Sequence, residues 1–141
     1  MTVVFWGQPP IVGLAGVAEG IRLVAAAGIE RIRAKAVALT EMAVTLADAW
    51  LAPHAITLGS PRDPQRRGGT VTVSTPDHAA VHKELGERGV ICDFRPDPQG
   101  GIRLGPHFFN TEDEVRRAVS ELADIVAGGA YERHLGAATQ F

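Results

Sequence analysis

Gly101-Ile102-Arg103-Leu104-Gly105-Pro106-His107-Phe108-Phe109-Asn110-Thr111-Glu112-Asp113-Glu114 reads as a strand, a break and a helix start in quick succession. Ile102 and Leu104 flank one arginine in a short apolar strand, which Gly105-Pro106 interrupts. Asn110 or Thr111 then offers a cap. Glu112, Asp113 and Glu114 follow, carboxylates that complement the positive end of a helix dipole. The arrangement aims the Arg103 guanidinium out of a strand end, where a carboxylate can be received by two parallel hydrogen bonds.

Working outward, Val115, Ala118, Val119, Leu122 and Ile125 keep a helical period, and Gly128-Gly129 closes that last helix. Residues 128–141 are expected as a tail. Upstream, Val90 to Phe94 reads as a strand and Pro96 to Gly101 as a turn. Thr70 to Ser74 alternates threonine with valine, the pattern of a half-buried strand. Between them, Thr75 is expected to cap a helix with Pro76 at its first position, running to about Glu87. Ala55-Ile56-Thr57-Leu58 is a further short strand. From residue 55 onward the order is therefore β-β-α-β-β-α. That predicts an α+β two-layer sandwich of the α/β class: a small, mostly antiparallel sheet with helices on one face.

Two helices precede it. Ile29 to Leu51 places Ile32, Ala36, Leu39, Met42 and Leu46 on one side, and Pro53 ends the run. The earlier one, Ile11 to Ala27, follows Pro9-Pro10 and is almost wholly apolar, with Glu19 and Arg22 as its charges. A helix apolar nearly all round has to be buried. In so short a chain, the expected cover is something these residues do not supply.

Composition narrows the class. Of 141 residues, 45% are hydrophobic and 21% charged, the balance of a folded domain rather than a disordered one. A net charge of −2 provides no bulk field for nucleic acid or an anionic membrane. Apolar windows are expected to fall short of a membrane span. No basic region precedes the apolar N-terminus, so a signal peptide is not expected. One cysteine, Cys92, excludes an internal disulfide and fits a reducing compartment. The expectation is a soluble, cytoplasmic protein.

Four blocks, in order along the chain, carry a family resemblance. They are Phe5-Trp6-Gly7-Gln8-Pro9-Pro10-Ile11, Ala27-Gly28-Ile29 through Leu39-Thr40, Arg67-Gly68-Gly69-Thr70-Val71-Thr72-Val73, and Gly89 to Arg95 with Ile102-Arg103 and Asn110-Thr111. Together they resemble the C-terminal part of kynureninase, within the class V aminotransferase superfamily of fold-type I pyridoxal-phosphate enzymes. The resemblance implies the small domain of such an enzyme. Residues 1–28 would be an extended opening and buried helix left from the large domain and its interface, 29–127 the small domain, and 128–141 a tail. It also implies hydrolysis of L-kynurenine to anthranilate and L-alanine, with pyridoxal phosphate held covalently by a lysine. Arg103 falls on the arginine that grips the substrate carboxylate. Gln8, beside Trp6, falls where the family faces a neighbouring active site, although Gln is a departure there.

The family's cofactor lysine and phosphate-binding segments have no counterpart in these residues. Lys35 and Lys83 lie on predicted helices, away from that position, so no catalytic residue is assigned. A partner is therefore expected, either a large-domain chain that binds the cofactor or further copies in a homo-oligomer, with a small amino acid as substrate. A non-catalytic interaction module is the alternative. Another class V activity, cysteine desulfuration or epimerisation, shares the arginine and the Asn-Thr helix start.

The remaining polar residues have plainer readings. Asn110 and Thr111 are helix caps. His78 and His82 form a solvated helix face, and His107 a solvated loop position. None of the histidines has metal-ligand spacing, so no metal is expected. Cys92 is core. Asp93 and Arg95 either pair with each other or orient the Arg103 loop, while Arg62, Arg66 and Arg67 are a solvated basic loop.

Overall fold

The computed structural model describes residues 10–96 and 100–136. Trp6 and Gln8, expected to meet substrate, lie outside the described residues. The chain divides into two compact units between Ile32 and Arg33.

The first unit contains α1 (Ile11–Ala27), entered through Pro10 and closed at Gly28, whose φ of +83° suits glycine. None of its residues is buried, and Ile11, Val12, Leu14, Val17, Ile21 and Leu23 are all exposed.

The second unit is built on the end of α2 (Ile29–Leu46). A π turn, Ala47–Leu51, and a 3-10 turn, Ala52–His54, which carries Pro53, extend that helix to a left-handed Ala55. Leu39, Ala43, Val44, Leu46, Ala47 and Leu51 are buried in one core. By length and composition alone Ile29–His54 could cross a membrane, contrary to the sequence expectation that no window reaches that length. The discrepancy has a simple cause: Ala43, Val44, Leu46 and Ala47 make the window apolar because they pack inside the domain.

Four strands follow: β1 (Thr57–Leu58), β2 (Val71–Ser74), β3 (Asp93–Arg95) and β4 (Gly101–Leu104). They form one sheet in the order β1-β2-β4-β3, antiparallel throughout. The register aligns Leu58, Val73, Ile102 and Phe94 across all four strands, with Val71 opposite Leu104. Successive side chains alternate between faces. Val71, Val73, Ile102 and Leu104 are accordingly buried, while Thr72 and Arg103 are half-buried and Ser74, Asp93 and Arg95 exposed. The buried face packs with Val81 and Leu85 of α3 (His78–Glu87) and with Val115, Val119, Leu122 and Ile125 of α4 (Glu112–Gly128). This is the expected sandwich, with strand β3 beginning later than Val90.

Helix boundaries follow local chemistry. Thr111 caps α4 in a full capping box: its hydroxyl accepts from Glu114 N–H, and Glu114 reaches back to Thr111 N–H at 2.8 Å. Gly129, with φ +66°, ends that helix. Helix α3 is capped by Asp77 rather than Thr75, the Asp77 carboxylate accepting from Ala80 N–H at 2.9 Å. Thr75 turns inward instead and meets His78 Nδ1 at 3.0 Å.

Loop 60–69 keeps Arg62 and Arg66 exposed, as a solvated basic loop would, but Arg67 departs from that expectation. Arg67 is buried: it donates to the carbonyls of Pro61 and Arg62 at 2.8 Å each and pairs with Glu41. Arg62 binds Asp48 through two parallel bonds of 2.7 Å.

Gly101 is where the sheet is tightest. Its φ is +155°, and a β-carbon there would stand 2.3 Å from the carbonyl oxygen of Val73. Gly101→Ala is expected to cost about 2–3 kcal/mol, since the obstruction is backbone that cannot step aside. Gly68→Ala, in open space, serves as the control. Urea unfolding midpoints of the two variants check this.

Candidate functional site

Arg103 sits in β4 between two buried residues, so the alternation that sends Ile102 and Leu104 into the core sends its side chain to the opposite, polar face. Thr72 of β2 and Asp93 of β3 are its direct cross-strand neighbours. The Arg103 side chain retains 37% of its exposure. Among the described residues, its ionic partner is Asp93, at 3.9 Å, too far for a hydrogen bond. The guanidinium therefore keeps free donors on an open surface, the requirement for receiving a carboxylate by a paired contact.

Beyond β4, Gly105-Pro106 leads to a cluster of three rings. His107 lies 4.7 Å from Phe108 and 5.2 Å from Phe109, centroid to centroid, and the two phenylalanines are 5.6 Å apart. Asn110 holds this turn, accepting from His107 N–H at 2.8 Å and donating to Glu114 at 3.2 Å. The Thr111 N–H, then Asn110, hold the Glu114 carboxyl below the usual carboxylate range. Of the two expected caps, Thr111 therefore caps α4, while Asn110 braces the turn before it and the Glu114 carboxylate.

A cavity of about 430 Å³ opens nearby, lined by Val90, Cys92, Leu104, Pro106, Phe109 and Val115 among others. Leu104 lines it and Arg103 does not, so cavity and guanidinium are on opposite sides of β4. Cys92 is half-buried, and burial, reinforced by the adjacent Asp93 charge, pushes its thiol up to about 11. It is a poor nucleophile at neutral pH.

The lysines do not fit a cofactor role. Lys35 and Lys83 are both exposed, on α2 and α3, and neither lines the cavity. A Schiff-base lysine requires burial or a neighbouring cation to lose its proton. Neither lysine is therefore placed to hold pyridoxal phosphate covalently.

The strongest electrostatic knot lies elsewhere and was not foreseen. Glu84 of α3 is buried, and its carboxylate accepts from Arg88 Nε at 3.0 Å and Arg133 Nε at 2.8 Å, with His134 Nε2 at 3.0 Å. Arg133 and His134 belong to a 3-10 turn, Ala130–His134, inside the stretch expected as tail. Glu84, Glu87 and His134 have their ligand atoms within 4.8 Å of one another. Two guanidiniums already supply the positive charge a metal would bring, so the cluster reads as a structural ion-pair knot. Nor are the α3 histidines a solvated face: His78 is buried, and His82 lies 3.1 Å from the Cys92 carbonyl with its ring 5.0 Å from Phe94.

Burial raises the Glu84 pKa, but its bonds to Arg88, Arg133 and His134 outweigh this and bring it below 4.5. Its stabilisation is therefore complete above pH 4.5 and lost as the solution is acidified through the lowered folded value. Glu84→Gln should lose about 1–2 kcal/mol at pH 7: the buried His134 loses its partner, while Arg88 and Arg133 keep contact with water that offsets part of the loss. The gap from wild type should close on acidification. Urea denaturation at pH 7 and below pH 4 measures both.

With this geometry in place, comparison with known proteins is informative. The profile of the family described as "Kynureninase C-terminal domain" matches residues 32–122. A protein named kynureninase from Bacillus cereus is 32% identical over 128 residues, covering 90% of this chain. Another, from Shouchella clausii, is 36% identical over the same length. The chain spans 29% of the length of each. The apo structure of a cysteine desulfurase from Thermococcus onnurineus NA1 superposes with a TM-score of 0.76 at 22% identity, over 86% of this chain and 32% of that one. That likeness establishes a shared fold.

Proposed function

This chain belongs to the kynureninase C-terminal domain family, and on that premise we propose that it is the small-domain part of a kynureninase-like hydrolase. A partner chain carrying the large domain would complete it and hold pyridoxal phosphate, whose role is to act as electron sink. These residues would bind and orient the substrate rather than break the bond. The observation that supports this is Arg103, half-exposed on a polar sheet face with donors to spare.

In this reading Arg103 fixes the α-carboxylate of L-kynurenine. Two parallel hydrogen bonds set the plane of the amino acid, and with it the direction of the scissile bond. Trp6 and Gln8 contact substrate across a subunit boundary. The products are anthranilate and L-alanine. The site is cytoplasmic, in keeping with the one cysteine.

One observation favours a second reading. Helix α1 leaves Ile11, Val12, Val17, Ile21 and Leu23 exposed, and apolar side chains grouped on one element mark contact surfaces. A non-catalytic module that self-associates, or that regulates a full-length relative, would use that helix as its contact.

Purification of the tagged chain from its native host, followed by intact mass, separates the two. A stoichiometric second chain with pyridoxal phosphate on a lysine supports the hydrolase, whereas self-association without it supports the module. In the completed enzyme, Arg103→Ala should raise the KM for L-kynurenine about 10- to 100-fold, the weight of a charge-assisted pair of hydrogen bonds. An unchanged KM removes Arg103 from the site.

A further inference from the structure

Arg103 has a carboxylate opposite it, yet the two do not close. Asp93 is its direct cross-strand neighbour on the edge strand β3. Cross-strand neighbours on one sheet face normally touch, and an Asp–Arg pair there would ordinarily make a direct salt bridge. Here the Asp93 oxygens are engaged elsewhere. Oδ1 accepts from the Phe94 N–H at 2.9 Å, and Oδ2 stands 2.8 Å from Arg95 Nη1. Arg103 Nη1 is left 3.9 Å from that same Oδ2.

Two guanidiniums thus compete for one carboxylate, and Arg95 holds it. All three side chains are about half exposed, so no steric wall decides the contest. Arg95 lies two residues along β3 from Asp93, so its side chain rises from the same face of the strand. Its cross-strand partner is Gly101, which brings no side chain to compete for the Asp93 carboxylate.

We infer that Arg95 is a positioning residue that keeps Asp93 off Arg103, so that the Arg103 guanidinium stays available to a ligand carboxylate. The inference rests on the reading of Arg103 as a carboxylate receiver and adds two residues to it. Without Arg95, Asp93 turns to the nearest remaining cation, Arg103, and the ligand must displace it. Without Asp93 there is nothing to displace, and the negative charge beside the site is gone.

These statements give effects of opposite sign, which a merely structural role does not produce. The test follows the guanidinium N–H resonance of Arg103 in the full chain, assigned with Arg103→Lys, while acetate is titrated at constant ionic strength. Arg95→Gln should weaken acetate binding about threefold and Asp93→Asn should strengthen it by a similar factor, magnitudes set by exposed ion pairs. In the Asp93→Asn background, Arg95→Gln should change the affinity little, because its action passes through Asp93. Arg95→Lys, which can still hold the carboxylate, should resemble wild type.

Equal weakening by Arg95→Gln in both backgrounds would show that only its charge matters, and the inference fails while the carboxylate reading stands. A loss of affinity in Asp93→Asn overturns it in the same way. If wild-type Arg103 does not respond to acetate at all, both readings fall together.

Discussion

Strand β4 is read in steps of two, and most of what this domain can do follows from that. Ile102 and Leu104 are pinned in the core by Val73 and Val71, their partners in β2. The intervening side chain has no choice of face. A slip of one residue would drive the Arg103 guanidinium into a hydrocarbon core and expose two large aliphatic groups. The same packing that stabilises the sheet therefore fixes the placement of the Arg103 guanidinium. Gly101 tightens that register, since β2 passes too close there for any side chain.

Charge is used in three different ways around this scaffold. Glu84 is buried among guanidiniums and a histidine, and ties α3 to the turn that follows α4. Arg67 is likewise buried, but two of its partners are main-chain carbonyls of its own loop and two are Thr40 and Glu41, so it braces that loop against α2. On the open sheet face, Asp93, Arg95 and Arg103 are only loosely arranged. Tight, desolvated pairs specify structure, and a loose, solvated set can be rearranged by a ligand at low cost.

Much of the fold was legible in the residues. Period-two alternation at Thr70–Ser74 and around Arg103 marked the sheet, and a cap at Asn110 or Thr111 ahead of three acidic residues marked the last helix. Missing from local pattern was everything that depends on distant partners. Arg67 looks like any loop arginine until Thr40, Glu41 and the Pro61 carbonyl are brought around it. His78 and His82 lie four apart on a helix, which suggests one exposed face, yet Thr75 and Phe94 cover them from outside that helix. The late start of β3 has the same origin, because the Cys92 carbonyl meets His82 instead of a neighbouring strand. Of the site, Arg103 was visible from its flanking residues, and the pairing of Asp93 with Arg95 was one of two readings their spacing allowed. That this pair stands directly opposite Arg103 depends on a cross-strand register no local pattern states.

The knot at Glu84 also sets where the domain can be cut. The contact between Glu84 and His134 spans 50 positions, and that with Arg133 spans 49. A chain shortened just after α4 would keep the hydrophobic face of that helix but leave the central carboxylate with Arg88 as its counter-charge. The structural boundary of the domain therefore lies beyond residue 134 and not at Gly129, where the last long helix ends.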